Sequence, residues 1–140
     1  MRMSDAEAEA FLSQTSPTPL GVVGTLRDDG SPHVVPLWFR WAAGVATIWS
    51  GESRSWVQNL MHDPRAAFSV DSFNRPYAAV MMRGHATVRT ADDEATIAEA
   101  QAICRRYLAP EKVEDYVASW PNLRTIVTIT PEHFMSATGG

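Results

Sequence analysis

The stretch Thr47–Val70, TIWSGESRSWVQNLMHDPRAAFSV, constrains this chain more than any other, because it dictates a strand, a turn, a short helix and a second strand. Val45–Trp49 is β-branched and aromatic, the composition of a strand. Ser50-Gly51-Glu52-Ser53 supplies turn and cap residues, and Pro64 stops the following helix near His62. A helix start carrying Ser50, Ser53, Arg54 and Ser55 gathers free backbone N–H groups, hydroxyls and one fixed positive charge. This is a pattern that holds a phosphate.

The rest of the chain reads as strands with a few helices at the periphery. Ser4-Asp5-Ala6-Glu7 has the form of a capping box and predicts a helix over 4–13, with Ala6, Ala10 and Phe11 at helical spacing. Ser16-Pro17-Thr18-Pro19 ends it, and Leu20–Leu26 follows as a strand. Asp28-Asp29-Gly30 is a hairpin turn into His33–Trp41, where His33, Val35, Leu37, Phe39 and Trp41 share one face. Pro36 has no N–H to give a ladder, so it marks a bulge or a sheet edge. With Val45–Trp49 these strands read as a meander. Arg65–Asp71 and Tyr77–Val88 follow, joined by a loop at Ser72–Pro76; the latter has an apolar face at Ala78, Val80, Met82, Gly84, Ala86 and Val88. Thr90–Ala109 predicts the longest helix and Glu111–Ser119 a second. Arg124–Thr130 is the last strand, and Met135–Gly140 reads as a mobile tail. Six strands in residues 1–140 predict a single antiparallel barrel domain.

Composition excludes several classes of function. A net charge of −4 argues against a nucleic-acid binder, and no apolar run reaches the ~20 residues that span a membrane. The acidic start has no signal-peptide pattern, and the lone Cys104, on an apolar helix stripe, fits a core position in a cytoplasmic protein. His33, His62, His85 and His133 show no metal-ligand spacing, so no metal is expected. No serine sits in a nucleophile turn. Trp38, Trp41, Trp49 and Trp56 cluster around the opening stretch, as either barrel filling or a slot for a planar ring.

The runs GTLRDDGSPHVVPLWFRW, TIWSG, SRSWVQNLMHDPRAAFSV and YAAVMMRGHATV resemble the pyridoxamine-5′-phosphate oxidase-like split-barrel superfamily, and within it the flavin/deazaflavin oxidoreductase branch. The resemblance covers about Ala6–Pro131. It implies a mainly β fold, a six-stranded antiparallel Greek-key split barrel with peripheral helices, assembled as a homodimer with cofactor sites at the interface. It implies F420 or FMN as cofactor, with F420 slightly favoured, and hydride transfer to a small planar substrate. The alternative is a non-catalytic protein of this fold that binds or sequesters a flavin, haem or similar ring.

By the same resemblance, Val35, Pro36, Leu37 and Trp38 lie along the ring, and Ile48, Trp49, Ser50, Ser53 and Arg54 hold the phosphate. Asn59 belongs to the helix that supports this turn, as scaffold or ligand. One position departs from the pattern. Where many relatives carry lysine three residues before the asparagine, this chain has Trp56, which removes a charge-assisted hydrogen bond worth about 1.5–3 kcal/mol. Arg54 is placed to supply the charge instead, and Trp56→Lys is expected to strengthen binding if the phosphate geometry is kept. The catalytic residues are not identified. His85 and Tyr77, on the polar face of the long strand, are the candidates for a proton donor.

Overall fold

The computed structural model describes residues 1–72 and 74–139. In chain order the elements are α1 (Asp5–Leu12), β1 (Gly21–Leu26), β2 (Pro32–Leu37), β3 (Arg40–Ala42), β4 (Val45–Ser50), α2 (Ser55–His62), β5 (Arg65–Ser72), β6 (Tyr77–Thr90), α3 (Glu94–Cys104), α4 (Pro110–Ala118) and β7 (Thr125–Gly139). The strands form one antiparallel sheet of seven, in the order β2-β1-β5-β6-β7-β4-β3.

The local signals hold. Ser4 Oγ accepts from the Glu7 N–H at 3.1 Å and a Glu7 carboxylate oxygen accepts from the Ser4 N–H at 2.9 Å, which completes the capping box. The helix buries Ala8, Phe11 and Leu12, so the expected Phe11 is inward while Ala6 and Ala10 are exposed. Pro64 follows the end of α2, and Arg65 pairs with Asp63 at 2.7 Å across that corner. Along β6 the expected apolar face is inward and Tyr77, Met81, Arg83, His85 and Thr87 face out. Asp93 caps α3 by accepting from the Thr96 N–H, so this helix begins later than Thr90, which belongs to β6. Cys104 is fully buried, and burial pushes its thiol up to about 11.

Three expectations change. Among the described residues the strand count is seven, because the run His33–Trp41 breaks at Trp38 and Phe39. The Phe39 N–H donates to the Tyr107 hydroxyl, and its carbonyl accepts from the Arg106 guanidinium, so these backbone groups are satisfied by the end of α3 and not by a ladder. The meander is therefore divided, with β2 pairing β1 and β3 pairing β4 at opposite edges of the sheet. Pro36 lies on the edge strand β2, opposite Val22, where its missing donor leaves no ladder gap. The end of the chain is also a strand: β7 continues through Met135 to Gly139, which pairs with Tyr77. Of the expected loop Ser72–Pro76 and tail Met135–Gly140, Phe73 and Gly140 lie outside the described residues.

The split at Trp38 makes the sheet curl. Six strand spacings in a flat sheet would separate β2 from β3 by roughly 29 Å. Leu37 and Arg40 are three residues apart, a span of at most about 11 Å. The two edges must come round toward each other. Inside the curl lies the main core, including Val23, Phe39, Ile48, Phe68, Val80 and Ile129, joined by Trp56, Val57 and Leu60 of α2. A second cluster joins α3 to α4 through Ala100, Cys104, Val113 and Val117, with Trp38 and Trp49 packed on it.

Candidate functional site

Where the curled edges approach, β2, β4 and the start of α2 enclose a concavity of about 320 Å³. Its size lies in the range of small-molecule sites. The period-two face of β2 contributes His33, Val35 and Leu37, and β4 contributes Trp49 and Ser50. Arg54, Ser55 and Trp56 close one end, and Leu123, just before β7, another side. The Trp49 indole N–H donates to the Leu123 carbonyl at 2.6 Å, which ties this wall to the sheet and occupies the only donor of the indole.

The polar groups here are mostly open. Arg54 is the N-cap of α2 but makes no side-chain capping bond; the Val57 N–H donates to the Arg54 carbonyl at 3.1 Å, and the amides of Ser55 and Trp56 get no partner from the cap side chain. Among the described residues the Arg54 guanidinium and the hydroxyls of Ser50 and Ser55 form no hydrogen bond or ion pair, although Ser50 is buried as a residue. The lining also holds the apolar side chains of Val35, Leu37 and Trp49, with an edge of Trp56 beside Ser55. Open donors at a helix N-terminus beside a flat apolar slot fit an anionic group carried on a ring.

The expected site residues divide. Val35, Leu37, Trp49, Ser50, Arg54 and Trp56 line the concavity. Trp56 does so by an edge only, since it is 6% exposed and belongs to the main core. Pro36 points to the exposed face of β2. Trp38 stacks on Tyr107, with ring centroids 4.9 Å apart and planes 4° from parallel, and leans on Tyr116. Ile48 is in the core and Ser53 is exposed outside the lining. Asn59 stands behind the lining, where its amide donates to Thr25 Oγ1 at 3.1 Å.

The proton-donor candidates lie elsewhere. His85 sits beside Glu132 at 3.3 Å, and Tyr77 is at the far end of β6. Ser55, expected at the helix start, also lines the concavity, whereas His33 and Leu123 were not singled out for the site. His33 had a signal, since it shares the β2 face with Val35 and Leu37, whereas Leu123 is brought in from a distant part of the chain. Among the described residues no group of three or more His, Cys, Asp or Glu side chains is arranged to hold a metal, and no helix is long and apolar enough to cross a membrane.

Residues 4–136 match the sequence family described as pyridoxamine 5′-phosphate oxidase. Among curated proteins none matches this sequence. Among solved structures, the chain is similar to a conserved hypothetical protein, Rv2991, from Mycobacterium tuberculosis, at 23% identity with a TM-score of 0.80 over 97% of this chain and 85% of that one. It is also similar to a protein named F420 reductase, at 26% identity with a TM-score of 0.68 over 90% and 94% of the two chains. The haem storage protein HutZ from Vibrio cholerae shares the fold at 14% identity, with a TM-score of 0.73 over 99% and 98%.

Proposed function

We propose that this chain, which belongs to the pyridoxamine 5′-phosphate oxidase family, is an oxidoreductase that holds a flavin-type cofactor in the concavity between β2, β4 and α2 and transfers a hydride to or from a small planar substrate. One observation carries the reading: the unpaired side-chain donors of Arg54, Ser50 and Ser55, at an α2 start without a side-chain cap, line the same concavity as Val35, Leu37 and Trp49. Arg54 and the helix start hold the phosphate, and Val35, Leu37 and Trp49 orient the ring. The bound cofactor supplies the hydride chemistry, and the protein positions it and excludes water from one face. F420 is favoured slightly over FMN, since the similar F420 reductase is 26% identical across most of both chains. The lone, buried cysteine is consistent with action in the cytoplasm.

A homodimer completes this reading. The outer face of the sheet carries exposed Val34, Tyr77, Met81 and Met135, with Val34 and Met135 at 66% and 64% exposure. Two adjoining grooves of about 520 and 420 Å³ share Ala67, Arg83 and His133 on this face. So large an apolar patch is suited to a second copy of the chain. A monomeric mass by light scattering at micromolar concentration would remove the dimer.

A second reading, a carrier that binds or sequesters a ring without turning it over, is favoured by Trp56 standing where relatives carry a phosphate-binding lysine. The absorption spectrum of the purified protein, followed by titration with FMN and with F420 under tryptophan fluorescence, tests both. Binding should quench Trp49 and Trp56, which line the concavity. If neither cofactor binds below about 100 μM, a weak affinity of ~5 kcal/mol, the redox reading is lost. If one binds, reduction and reoxidation with candidate acceptors separates enzyme from carrier.

A further inference from the structure

His33 is opposite Thr25 in the β1–β2 ladder, so the two side chains share one face of the hairpin, and Asn59 of α2 descends between them. The Asn59 amide nitrogen donates to Thr25 Oγ1 at 3.1 Å and stands 3.4 Å from His33 Nδ1. An amide NH2 group only donates, so in this arrangement Nδ1 is the acceptor and the neutral ring carries its proton on Nε2. Both hydrogens of the amide are then used. Thr25 and Asn59 are 2% and 9% exposed, so an unsatisfied donor there would be costly. His33 itself lines the concavity, and among the described residues its Nε2 has no partner.

We propose that Asn59, supported by Thr25, positions His33 as the Nε2–H tautomer, and that His33 donates a hydrogen bond from Nε2 to an oxygen of the bound ligand. The second half rests on the flavin-type reading of the concavity; the first half does not. His33 thereby joins Arg54, Ser50 and Ser55 as a donor on the wall of the same space. Asn59 acts through His33 and needs no contact with the ligand.

The tautomer is read from the imidazole 15N shifts of the unliganded protein. The expected pattern is pyrrole-like at Nε2 and pyridine-like at Nδ1 of His33. The reverse pattern, with the proton on Nδ1, overturns the proposal whatever the ligand. For the donor role, FMN is titrated against wild type, His33→Leu and His33→Gln, the last of which keeps an N–H near the place of Nε2. His33→Leu should weaken FMN by about threefold to tenfold, as for one lost hydrogen bond, and His33→Gln should restore most of it. Equal affinity in all three overturns the donor role. Riboflavin in parallel locates the acceptor: a loss confined to FMN places it on the phosphate, and an equal loss places it on the ring or its sugar chain. If wild type binds F420 and not FMN, the same three proteins are titrated with F420 under the same criteria; if it binds neither, the donor role falls with the flavin-type reading, while the 15N pattern still decides the tautomer.

Discussion

At the end of α3, Arg106 donates to the carbonyls of Phe39, Leu12 and Gln14 and lies over the Phe39 ring at 4.6 Å. At the start of α2, the Arg54 guanidinium donates to nothing among the described residues. The two corners share their ingredients, an arginine at a helix end with tryptophan nearby. Around α3 the polar groups are matched: Arg40 forms a two-pronged pair with Glu99, at 2.6 and 2.8 Å, and Thr47 donates to the same carboxylate. The Tyr107 hydroxyl donates to the Pro19 carbonyl. Around α2 the hydroxyls, the guanidinium and one imidazole nitrogen are left open toward a concavity. A matched corner holds the fold together; an unmatched one has binding capacity in reserve for a ligand.

Four substitutions break or sharpen this contrast. Trp56→Lys has the largest expected effect. Because Trp56 is 6% exposed, the change opens a hole in the core and brings a charge to its rim, and urea unfolding should show a loss of about 3–5 kcal/mol. A loss under ~1 kcal/mol would mean that Trp56 is a wall of the concavity and not core. A binding gain then depends on the lysine stem carrying its ammonium out to the lined edge. Arg106→Ala should cost about 2–3 kcal/mol by leaving carbonyls unmatched, with FMN or F420 affinity changed less than about twofold. A large affinity change would join the two corners energetically.

Arg54→Ala should reverse that pattern, with stability within ~0.5 kcal/mol of wild type and cofactor binding weaker by about 2 kcal/mol, or roughly 30-fold. An unchanged dissociation constant would make Arg54 a solvated surface residue. Glu99→Gln should have the smallest effect, about 1 kcal/mol at neutral pH, since the pair is partly exposed. Its pH dependence carries a sign. Burial raises the Glu99 carboxyl, but the hydrogen bonds from Arg40 and Thr47 outweigh it and leave the group below its ordinary value of 4.5. The contribution is therefore complete above about pH 4.5 and is lost as pH falls through the lowered folded value. The stability gap between wild type and Glu99→Gln should close on acidification; a gap constant from neutral pH to pH 3 would remove the ion pair as its cause.

Much of the site was legible because its rules are local. Ser4 and Glu7, Asp29-Gly30, and the alternation along Tyr77–Val88 each act over a few residues. The open anion-binding start of α2 was legible too, from Ser50, Arg54 and Ser55, together with the Val35 and Leu37 face. What escaped comes from far along the chain. The break at Trp38-Phe39 depends on Tyr107 and Arg106, the closing wall on Leu123, and the orientation of His33 on Asn59, 26 residues away. Trp56 reads on paper as an exchange at a phosphate site. In three dimensions it is mainly a core residue.

The sequence by itself determined most of the strands and helices and the apolar faces of the long strands, because those choices follow from backbone sterics, capping and periodicity. The family pattern was legible at the same level. Only the tertiary structure decided which edges meet. A three-residue step from Leu37 to Arg40 joins opposite edges of a seven-stranded sheet, and this curling, which no local rule encodes, brings β2, β4 and α2 around one concavity. Which donors remain unpaired there, and so able to bind, is set by packing between distant residues.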